Sequence, residues 1–415
     1  MFKINKVKSR FVLDSRGFPT VQVQVVVEKG GEEFYGLSSV PSGASTGTYE
    51  ALELRDGGSA FKGKHVSKAI ENVNSTIAPS LEGKTFNSIL EVEKALLALD
   101  STTNKAELGA NAILGVSMAS HKAVAKSENT DLFKFINKTY FADHKITKFP
   151  RLMCNVVNGG MHADSGLEIQ EFMVVPNLGN IEKDVQAAAE IYQTLKSQLK
   201  KDGHSVSLGD EGGFAPRIAK STEVMDYLMN SIESAGYSGK ADLAMDCAAS
   251  EFYKGGKYTV DEIAMTPSEL NEFYGKLVNK YPLISIEDGF QEDDFEGWKE
   301  MTDKLGKKIH LIGDDLFVTN PTRFAEVGLK KGLANGVLIK LNQIGSVSET
   351  CQIINDAKAN GYITIVSHRS GETTDAFMSD LAVASQSEFI KLGAPARGER
   401  VAKFNRLLEI SDLID

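Results

Sequence analysis

From about residue 151 onward the chain repeats one unit, a short apolar run followed by a stretch with helical character. The apolar runs are ADLAMD (241–246), LISIED (283–288), IHLIGDD (309–315), GVLIKL (336–341), YITIVSH (362–368) and EFIKLG (388–393). Stretches such as PSELNEFYGKLVNKYP and SVSETCQIINDAKANG lie between them. Repeated strand-then-helix units predict a parallel α/β barrel, with a doubly wound open sheet as the alternative. No G-x-G-x-x-G follows the first strand of this region, which favours the barrel.

The first 150 residues have a different pattern of apolar and polar residues. Val21, Val23 and Val25 alternate with polar residues, the period of a half-buried strand, and KGGE at 29–32 predicts a hairpin turn. Residues 106–126 are rich in Gly, Ala and Ser, which is typical of a closely packed buried helix. We therefore expect an antiparallel sheet followed by helices, which is a small α+β domain.

The difference in residue pattern between the two regions predicts two domains. The segment 138–150 has no clear period and is the expected boundary. We place a smaller N-terminal α+β domain at 1–138 and a C-terminal α/β barrel at 139–415.

Composition excludes several classes of function. A formal charge of −10 argues against binding of nucleic acid or of anionic membranes, although a local group of cations can still bind an anionic substrate. The cysteines at 154, 247 and 351 form no C-x-x-C motif, so we expect neither a disulfide framework nor a zinc site, and a reducing cytoplasmic compartment. The N-terminus lacks the apolar core of a signal peptide, and no run is long enough to span a membrane.

Polar residues follow the apolar runs in a regular way. The residues at or just past the run ends are Asp246, Glu287, Asp314, Lys340, His368 and Lys391. Strand ends of a barrel meet at one face, so these side chains are expected to ring one mouth. Charged residues also end strands simply because loops are solvated, but that explanation fits six successive units poorly. Three carboxylates favour Mg²⁺ or Mn²⁺, and the later cations suit an anionic substrate.

Other motifs carry weaker signals when each is taken alone. Arg369 and Ser370 in SHRSGE suit phosphate oxygens, although a helix cap with a surface arginine has the same pattern. VPSGASTG (40–47) is typical of a linker or of a lid. SVSLGDEGG predicts a strand that runs into a loop carrying Glu211, where a carboxyl pKa can be tuned. LDSRGFPT (13–20) predicts a turn between strands with a structural role.

In combination these segments resemble the enolase family almost from end to end. The motifs that carry the resemblance are PSGASTG, LGANAILGVSMA, NGGMHA, QEFM, GDEGGFAP, LAMDCAASEFY, SIED, GDDLFVTNP, IKLNQIG and VSHRSGET. Gly289 and Phe317 are similar to the bacterial form of the family. The resemblance implies a lyase of glycolysis and gluconeogenesis that interconverts 2-phosphoglycerate and phosphoenolpyruvate with two Mg²⁺. It also implies a barrel that opens with two strands followed by two helices.

The resemblance further implies a role for each matching residue. Lys340 would remove the C2 proton, and Glu211, with Glu171 beside it, would protonate the departing 3-hydroxyl. The implied ligands of the first metal ion are Asp246, Glu287 and Asp314, and Ser45, in the 40–47 loop over the site, is an implied ligand of the second. His162 is an implied catalytic residue. The implied substrate-binding residues are Gln170, His368, Arg369, Ser370 and Lys391. Nearby cations should lower the pKa of Lys340, and a carboxylate-rich corner should keep Glu211 protonated. A lysine base that works beside Mg²⁺ is chemistry general to the superfamily.

Several positions depart from the family pattern, and two other functions stay open. The departures are Phe18, Gln22, Tyr49, Thr374 and Glu409, which put the contacts of the implied homodimer, or larger homo-oligomer, in doubt. One alternative function is an acid-sugar dehydratase or racemase of the same superfamily. The other is an inactive paralogue with a structural or adhesive role. A secondary cell-surface or secreted pool beside the cytoplasmic one also stays open.

Overall fold

The structure, a computed structural model, describes residues 1–43, 49–163 and 165–414. Its N-terminal sheet has the strand order β3-β2-β1-β4, with antiparallel pairing. The strands are β1 (Phe2–Leu13), β2 (Pro19–Lys29), β3 (Glu32–Ser39) and β4 (Thr85–Phe86). Gly30 and Gly31, with φ of +65° and +87°, form the predicted hairpin turn, a conformation that favours glycine.

Helices cover one face of this sheet. They are α1 (Ser67–Asn72), α2 (Ala78–Leu81), α3 (Ile89–Leu97), α4 (Ala110–Ser127) and α5 (Leu132–Tyr140), with a π-helical turn at Val73–Ile77 and a 3₁₀ turn at Ala60–Gly63. A Cβ atom added at Gly36 would lie 1.9 Å from the carbonyl oxygen of Ala119 in α4. The helix backbone therefore touches β3 directly, which confirms the close packing that the small residues of α4 predict.

The C-terminal part is a closed barrel with the strand order β11-β12-β13-β14-β15-β5-β6-β7. Its strands are β5 (Arg151–Asn158), β6 (Glu171–Pro176), β7 (Ala241–Asp246), β11 (Leu283–Glu287), β12 (His310–Gly313), β13 (Gly336–Ile339), β14 (Ile363–Ser367) and β15 (Phe389–Lys391). A separate small sheet consists of β8 (Tyr253–Lys254), β9 (Lys257–Val260) and β10 (Ile263–Met265). The predicted fold class, an α/β barrel with a smaller N-terminal α+β unit, is confirmed.

The surrounding helices follow the strands in sequence. They are α6 (Ile181–Lys201), α7 (Ser221–Ser234), α8 (Pro267–Lys280), α9 (Phe295–Leu305), α10 (Pro321–Arg323), α11 (Leu341–Ile344), α12 (Val347–Ala359), α13 (Phe377–Ala384) and α14 (Gly398–Ser411). The barrel opens with β5, β6, α6 and α7, the implied order of two strands and two helices. Strand β6 runs antiparallel to both β5 and β7, whereas the other barrel pairs are parallel. Among the described residues, no helix has the length and apolar character needed to cross a membrane.

The strand predicted within SVSLGDEGG is wrong. Leu208 makes only an isolated bridge to Phe214, and no barrel strand forms between α6 and α7. The reason is burial, since Ser205, Ser207 and Leu208 are exposed and Val206 is the one apolar side chain among residues 205–208 that packs against the core. The strand that stands next to β5 is β6 instead.

Side chains fill the inside of the barrel. The buried cluster there comprises Met153, Met173, Val175, Ala244, Ile312, Leu338, Ile365 and Phe389. A packed barrel has no pore, so its chemistry is confined to the loops and strand ends at the mouth.

Candidate active site

The sequence-predicted polar residues gather at the mouth where the parallel strands end. They stand at, or one position beyond, the ends of six strands: Asp246 (β7), Glu287 (β11), Asp314 (β12), Lys340 (β13), His368 (β14) and Lys391 (β15). Because β6 is antiparallel, its first residue, Glu171, lies at the same mouth. The strand order β7-β11-β12-β13-β14-β15 thus places the acidic ends side by side and the basic ends beside them.

One cavity at this mouth brings most of the candidates together. Its wall includes His162, Gln170, Glu171, Glu211, Asp246, Asp314, Lys340, His368, Arg369, Ser370 and Lys391. Glu287 is fully buried beside this wall and accepts hydrogen bonds from Lys391 at 2.9 and 3.0 Å. The candidate Ser45 lies outside the described residues.

The ammonium group of Lys391 lies among buried carboxylates. Its Nζ donates to Asp246 Oδ2 at 2.8 Å and to Glu287, and it lies 3.2 Å from Glu171 Oε2. Burial lowers the pKa of Lys391. The charges of Asp246, Glu171 and Glu287 outweigh burial and raise this pKa well above its ordinary value. Lys391 is therefore a fixed positive charge at the centre of the mouth.

The donor set at the acidic ends suits a hard divalent cation. The carboxylates of Asp288, Asp314 and Asp315 have oxygens within 4.8 Å of one another, and Asp246 and Glu287 share Lys391. Burial and the charge of Asp314 raise the pKa of Asp315 to about 8. Burial and the charge of Asp246 raise the pKa of Glu287. Crowded oxygen donors that repel one another match the ligand preference of Mg²⁺.

Lys340 is tied to one of these acids. Its Nζ donates to Asp314 Oδ2, and Gln343 Nε2 donates to Asp314 Oδ1 at 2.8 Å. Burial lowers the pKa of Lys340, but the charge of Asp314 outweighs burial and raises this pKa above its ordinary value. The lowered pKa that a base needs is therefore absent in this state, because the nearest charge is negative.

Two contacts define the protonation of His368. Arg400 Nη1 lies 3.0 Å from His368 Nδ1, and an arginine can only donate, so Nδ1 is the acceptor. The ring proton is then on Nε2, which lies 3.2 Å from Glu211 Oε2. Burial lowers the pKa of His368 to about 4, so the ring is neutral near pH 7 and carries its one proton on Nε2.

Glu171 and Glu211 form a buried pair with unequal proton affinity. Burial and the charge of Glu211 raise the pKa of Glu171 well above its ordinary value. Burial opposes ionisation of Glu211, but His368 and His162 lower its pKa well below the ordinary value, and Asn155 Nδ2 also donates to it at 3.0 Å. The expected protonated carboxyl is therefore Glu171 in this state, with Glu211 ionised.

Arg369 and Ser370 are buried at the edge of the cavity. Arg369 forms an ion pair with Glu50 at 3.1 Å and donates to Asn342 Oδ1 at 3.0 Å. Burial lowers the pKa of Arg369, but the charge of Glu50 outweighs burial and raises it. Arg16, in the turn between β1 and β2, donates to Ser370 Oγ at 3.4 Å. The sequence predicts a structural role for that turn, yet the turn also touches the candidate phosphate loop.

Sequence reasoning missed several residues of this network. They are Arg16, Glu50, Asn155, Asp288, Asn342, Gln343 and Arg400. Asn342 and Gln343 lie two and three positions after Lys340 in IKLNQIG, and that proximity is the available signal. Arg400 lies in the C-terminal helix and carries no such signal.

The fold and the site define an α/β-barrel enzyme whose mouth holds buried carboxylates paired with Lys340 and Lys391. The family model described as "Enolase, N-terminal domain" matches residues 4–136, and "Enolase, C-terminal TIM barrel domain" matches residues 146–415. The enolase of Elusimicrobium minutum is 52% identical over 411 residues, which cover 99% of this chain and 96% of that protein. The enolases of a Nitratiruptor species and of Natranaerobius thermophilus are 51% and 47% identical, again over 99% of this chain and 96% of theirs.

The chain belongs to the enolase family. The enzyme class of that family is phosphopyruvate hydratase, a lyase.

Proposed function

We propose that this chain catalyses the reversible dehydration of 2-phosphoglycerate to phosphoenolpyruvate in glycolysis and gluconeogenesis. The observation that carries the proposal is the opposition of two groups across the mouth. Lys340 follows β13 and Glu171 begins β6, and these strands lie four places apart in the closed ring of eight. A base and a proton donor on opposite walls suit removal of a proton and a hydroxyl from neighbouring carbons.

The base in this proposal is Lys340. Its amine takes the proton from C2 of the substrate, and the electron pair left behind moves toward the adjacent carboxylate. Lys391, held among buried acids, places positive charge in the same cavity, where that negative charge develops. The amine of Lys340 must first lose its own proton, so its tie to Asp314 has to weaken.

The acid is the Glu171–Glu211 pair. Glu171 holds the proton in the state described, and His162 Nδ1 lies 3.5 Å from Glu171 and 3.8 Å from Glu211. Glu211 receives that proton and passes it to the departing 3-hydroxyl, which leaves as water. His162 and His368 lie beside the two carboxylates and lower the pKa of Glu211, which holds the two proton affinities apart.

The metal ligands we propose are Asp246, Glu287 and Asp314 for a first Mg²⁺ and Ser45 for a second. A divalent cation there would supply positive charge that offsets the crowded acids, lowers the pKa of Lys340 and stabilises the charge that develops on the substrate. Two observations support this assignment: the charges of Asp246 and Asp314 raise the pKa of the buried Glu287, and Asp314 also lies in a close group of carboxylates with Asp288 and Asp315.

The phosphate of the substrate is assigned to Arg369 and Ser370. A guanidinium group can bind phosphate oxygens through several N–H groups, although Nη1 and Nη2 of the buried Arg369 contact Glu50 in this structure, and a hydroxyl can donate to a further oxygen. Gln170, with a buried amide oxygen that has no partner among the described residues, and His368 complete the substrate shell.

We further propose the domain division 1–138 and 139–415, a cytoplasmic location and a homo-oligomeric state. The small substrate needs no nucleic acid and no membrane. The two family matches, to residues 4–136 and 146–415, support the division, and the net charge of −10 supports the absence of nucleic-acid partners.

The test is a direct assay of the purified chain. Addition of 2-phosphoglycerate and Mg²⁺ should produce the ultraviolet absorbance of the conjugated enol phosphate. No absorbance change with the folded, Mg²⁺-saturated chain would rule out the proposed activity and leave the inactive-paralogue alternative.

A further inference from the structure

Both flanks of residues 44–48 contact the same short segment of the barrel. On one side, Ser42 and Gly371 exchange two backbone hydrogen bonds of 2.8 Å each. On the other side, Glu50 pairs with Arg369. The candidate phosphate residues Arg369 and Ser370 are therefore held from the N-terminal part of the chain at two points.

The contact between Glu50 and Arg369 has fork geometry. Arg369 Nη1 lies 3.1 Å from Glu50 Oε2, and Arg369 Nη2 lies 3.3 Å from Glu50 Oε1. The side chains are only 4% and 6% exposed, so water screens the pair weakly. Two parallel N–H···O contacts fix the plane of a guanidinium group, which a single contact does not.

Glu50 is itself held in place from the barrel. Gln343 Nε2 donates to Glu50 Oε1 at 3.3 Å and to Asp314 Oδ1 at 2.8 Å, and the backbone N–H of Ala51 donates to the carbonyl of Gln343 at 2.8 Å. The carboxylate is thus a fixed reference point for Arg369, connected through one side chain to a proposed metal ligand.

We propose that Glu50 is a positioning residue for Arg369, which sets the guanidinium plane so that it is ready for the substrate phosphate. This inference rests on the proposed function. Positioning by Glu50 would strengthen phosphate binding. The negative charge of Glu50 has the opposite effect on phosphate affinity, because it competes with phosphate for the guanidinium group. The geometry favours positioning, since a fork held by Gln343 is a fixed support.

Glu50→Asp separates the two effects because it keeps the charge and is one methylene too short for the fork. We expect the KM for 2-phosphoglycerate and the inhibition constant of inorganic phosphate both to rise about tenfold or more, with kcat changed much less. The same change in an Arg369→Lys background should add little, because the group that Glu50 positions is then gone. Glu50→Gln keeps the length but turns an amide donor toward the guanidinium, so it should weaken phosphate inhibition too.

The matched control is Glu349→Asp, which shortens another carboxylate that joins the two parts of the chain, through Lys105 at 2.9 Å. It should leave KM and phosphate inhibition within about twofold of the parent. Equal or tighter phosphate binding in folded Glu50→Asp would overturn the inference, as would an equal effect in the Arg369→Lys background. A parent chain that makes no phosphoenolpyruvate would instead refute the proposed function.

Discussion

Arg400 Nη1 lies 3.0 Å from His368 Nδ1, and this contact leaves the ring proton of His368 on Nε2, which lies 3.2 Å from Glu211 Oε2. A neutral histidine can then stabilise the anionic form of Glu211 without adding charge to the cavity. The proton of the acid pair is left on Glu171, whose pKa is raised by burial and by Glu211. One buried pair thus holds a proton and a carboxylate side by side.

The first prediction concerns that proton. An acid must be protonated, so kcat should fall as pH rises through the raised pKa of Glu171. Glu171→Gln cannot hold the proton and should lower kcat by about 10²–10⁴-fold. The measurement is kcat against pH for the parent and the variant. A variant with the parent's kcat and the same high-pH limb would show that the proton comes from elsewhere.

The second prediction concerns the metal. Glu287→Gln keeps the shape of a fully buried side chain but removes one ligand charge, so the Mg²⁺ concentration that gives half-maximal activity should rise sharply. Glu300→Gln, on the surface of α9, is the matched control and should keep the parent's Mg²⁺ dependence. Chelation should abolish activity and added Mg²⁺ should restore it. The ligand assignment is wrong if the two variants titrate alike.

The third prediction concerns the close contact at Gly371. A Cβ atom there would lie 2.4 Å from Arg16 Nη2 and 2.7 Å from the carbonyl oxygen of Ser42. Gly371→Ala should therefore destabilise the fold by about 1–3 kcal/mol and impair activity by shifting the segment that carries Ser370. Gly275→Ala is the control, because it sits in helix α8 with open space around it and should stabilise by about 0.5–1 kcal/mol. Urea unfolding of both variants measures the difference, and equal effects would contradict the contact.

The fourth prediction concerns the ion pair of Asp375 with Lys122, which lies at 2.7 Å. Burial raises the pKa of Asp375, but Lys122 and the N–H groups of Ser39 and Phe377 lower it below its ordinary value of 3.8. A lowered folded-state pKa gives stability that is present above pH 3.8 and is lost as pH falls through the folded-state pKa.

Asp375→Asn should accordingly cost about 1–3 kcal/mol of unfolding free energy at pH 7, and the cost should shrink below about pH 4. Asp303→Asn removes an exposed pair, with side chains 50% and 61% exposed, and should cost less than about 0.5 kcal/mol at either pH. Urea unfolding at pH 7 and near pH 3.5 tests both variants. A cost that does not depend on pH would contradict the assigned charge.

The sequence predicts the barrel and its ring of polar strand ends because both follow from local pattern. The position of Glu287 or Lys340 at the end of an apolar run needs no knowledge of distant contacts. The pairing of Glu50 with Arg369 joins residues 319 positions apart, and Arg400 reaches His368 from the C-terminal helix. Such contacts arise only when the two parts of the chain pack together.

Protonation states are hidden from the sequence for the same reason. A carboxylate-rich corner predicts a protonated Glu211, but burial and the charge of Glu211 raise the pKa of Glu171, while His368 and His162 lower the pKa of Glu211. The neighbouring cations predict a lowered pKa for Lys340, yet its nearest charge in this structure is Asp314. These directions depend on a few ångströms of geometry at the mouth.

The central claim is that Lys340 acts at C2 while the Glu171–Glu211 pair acts at the 3-hydroxyl. NMR of 2-phosphoglycerate in D₂O with Mg²⁺ follows exchange at C2 and formation of phosphoenolpyruvate in one sample. Lys340→Ala should lose both, because it removes the group assigned to C2. Glu211→Gln should still exchange the C2 proton while dehydration falls by about 10²–10⁴-fold. Exchange at the parent's rate in Lys340→Ala, or normal dehydration in Glu211→Gln, would contradict the assignment of base and acid.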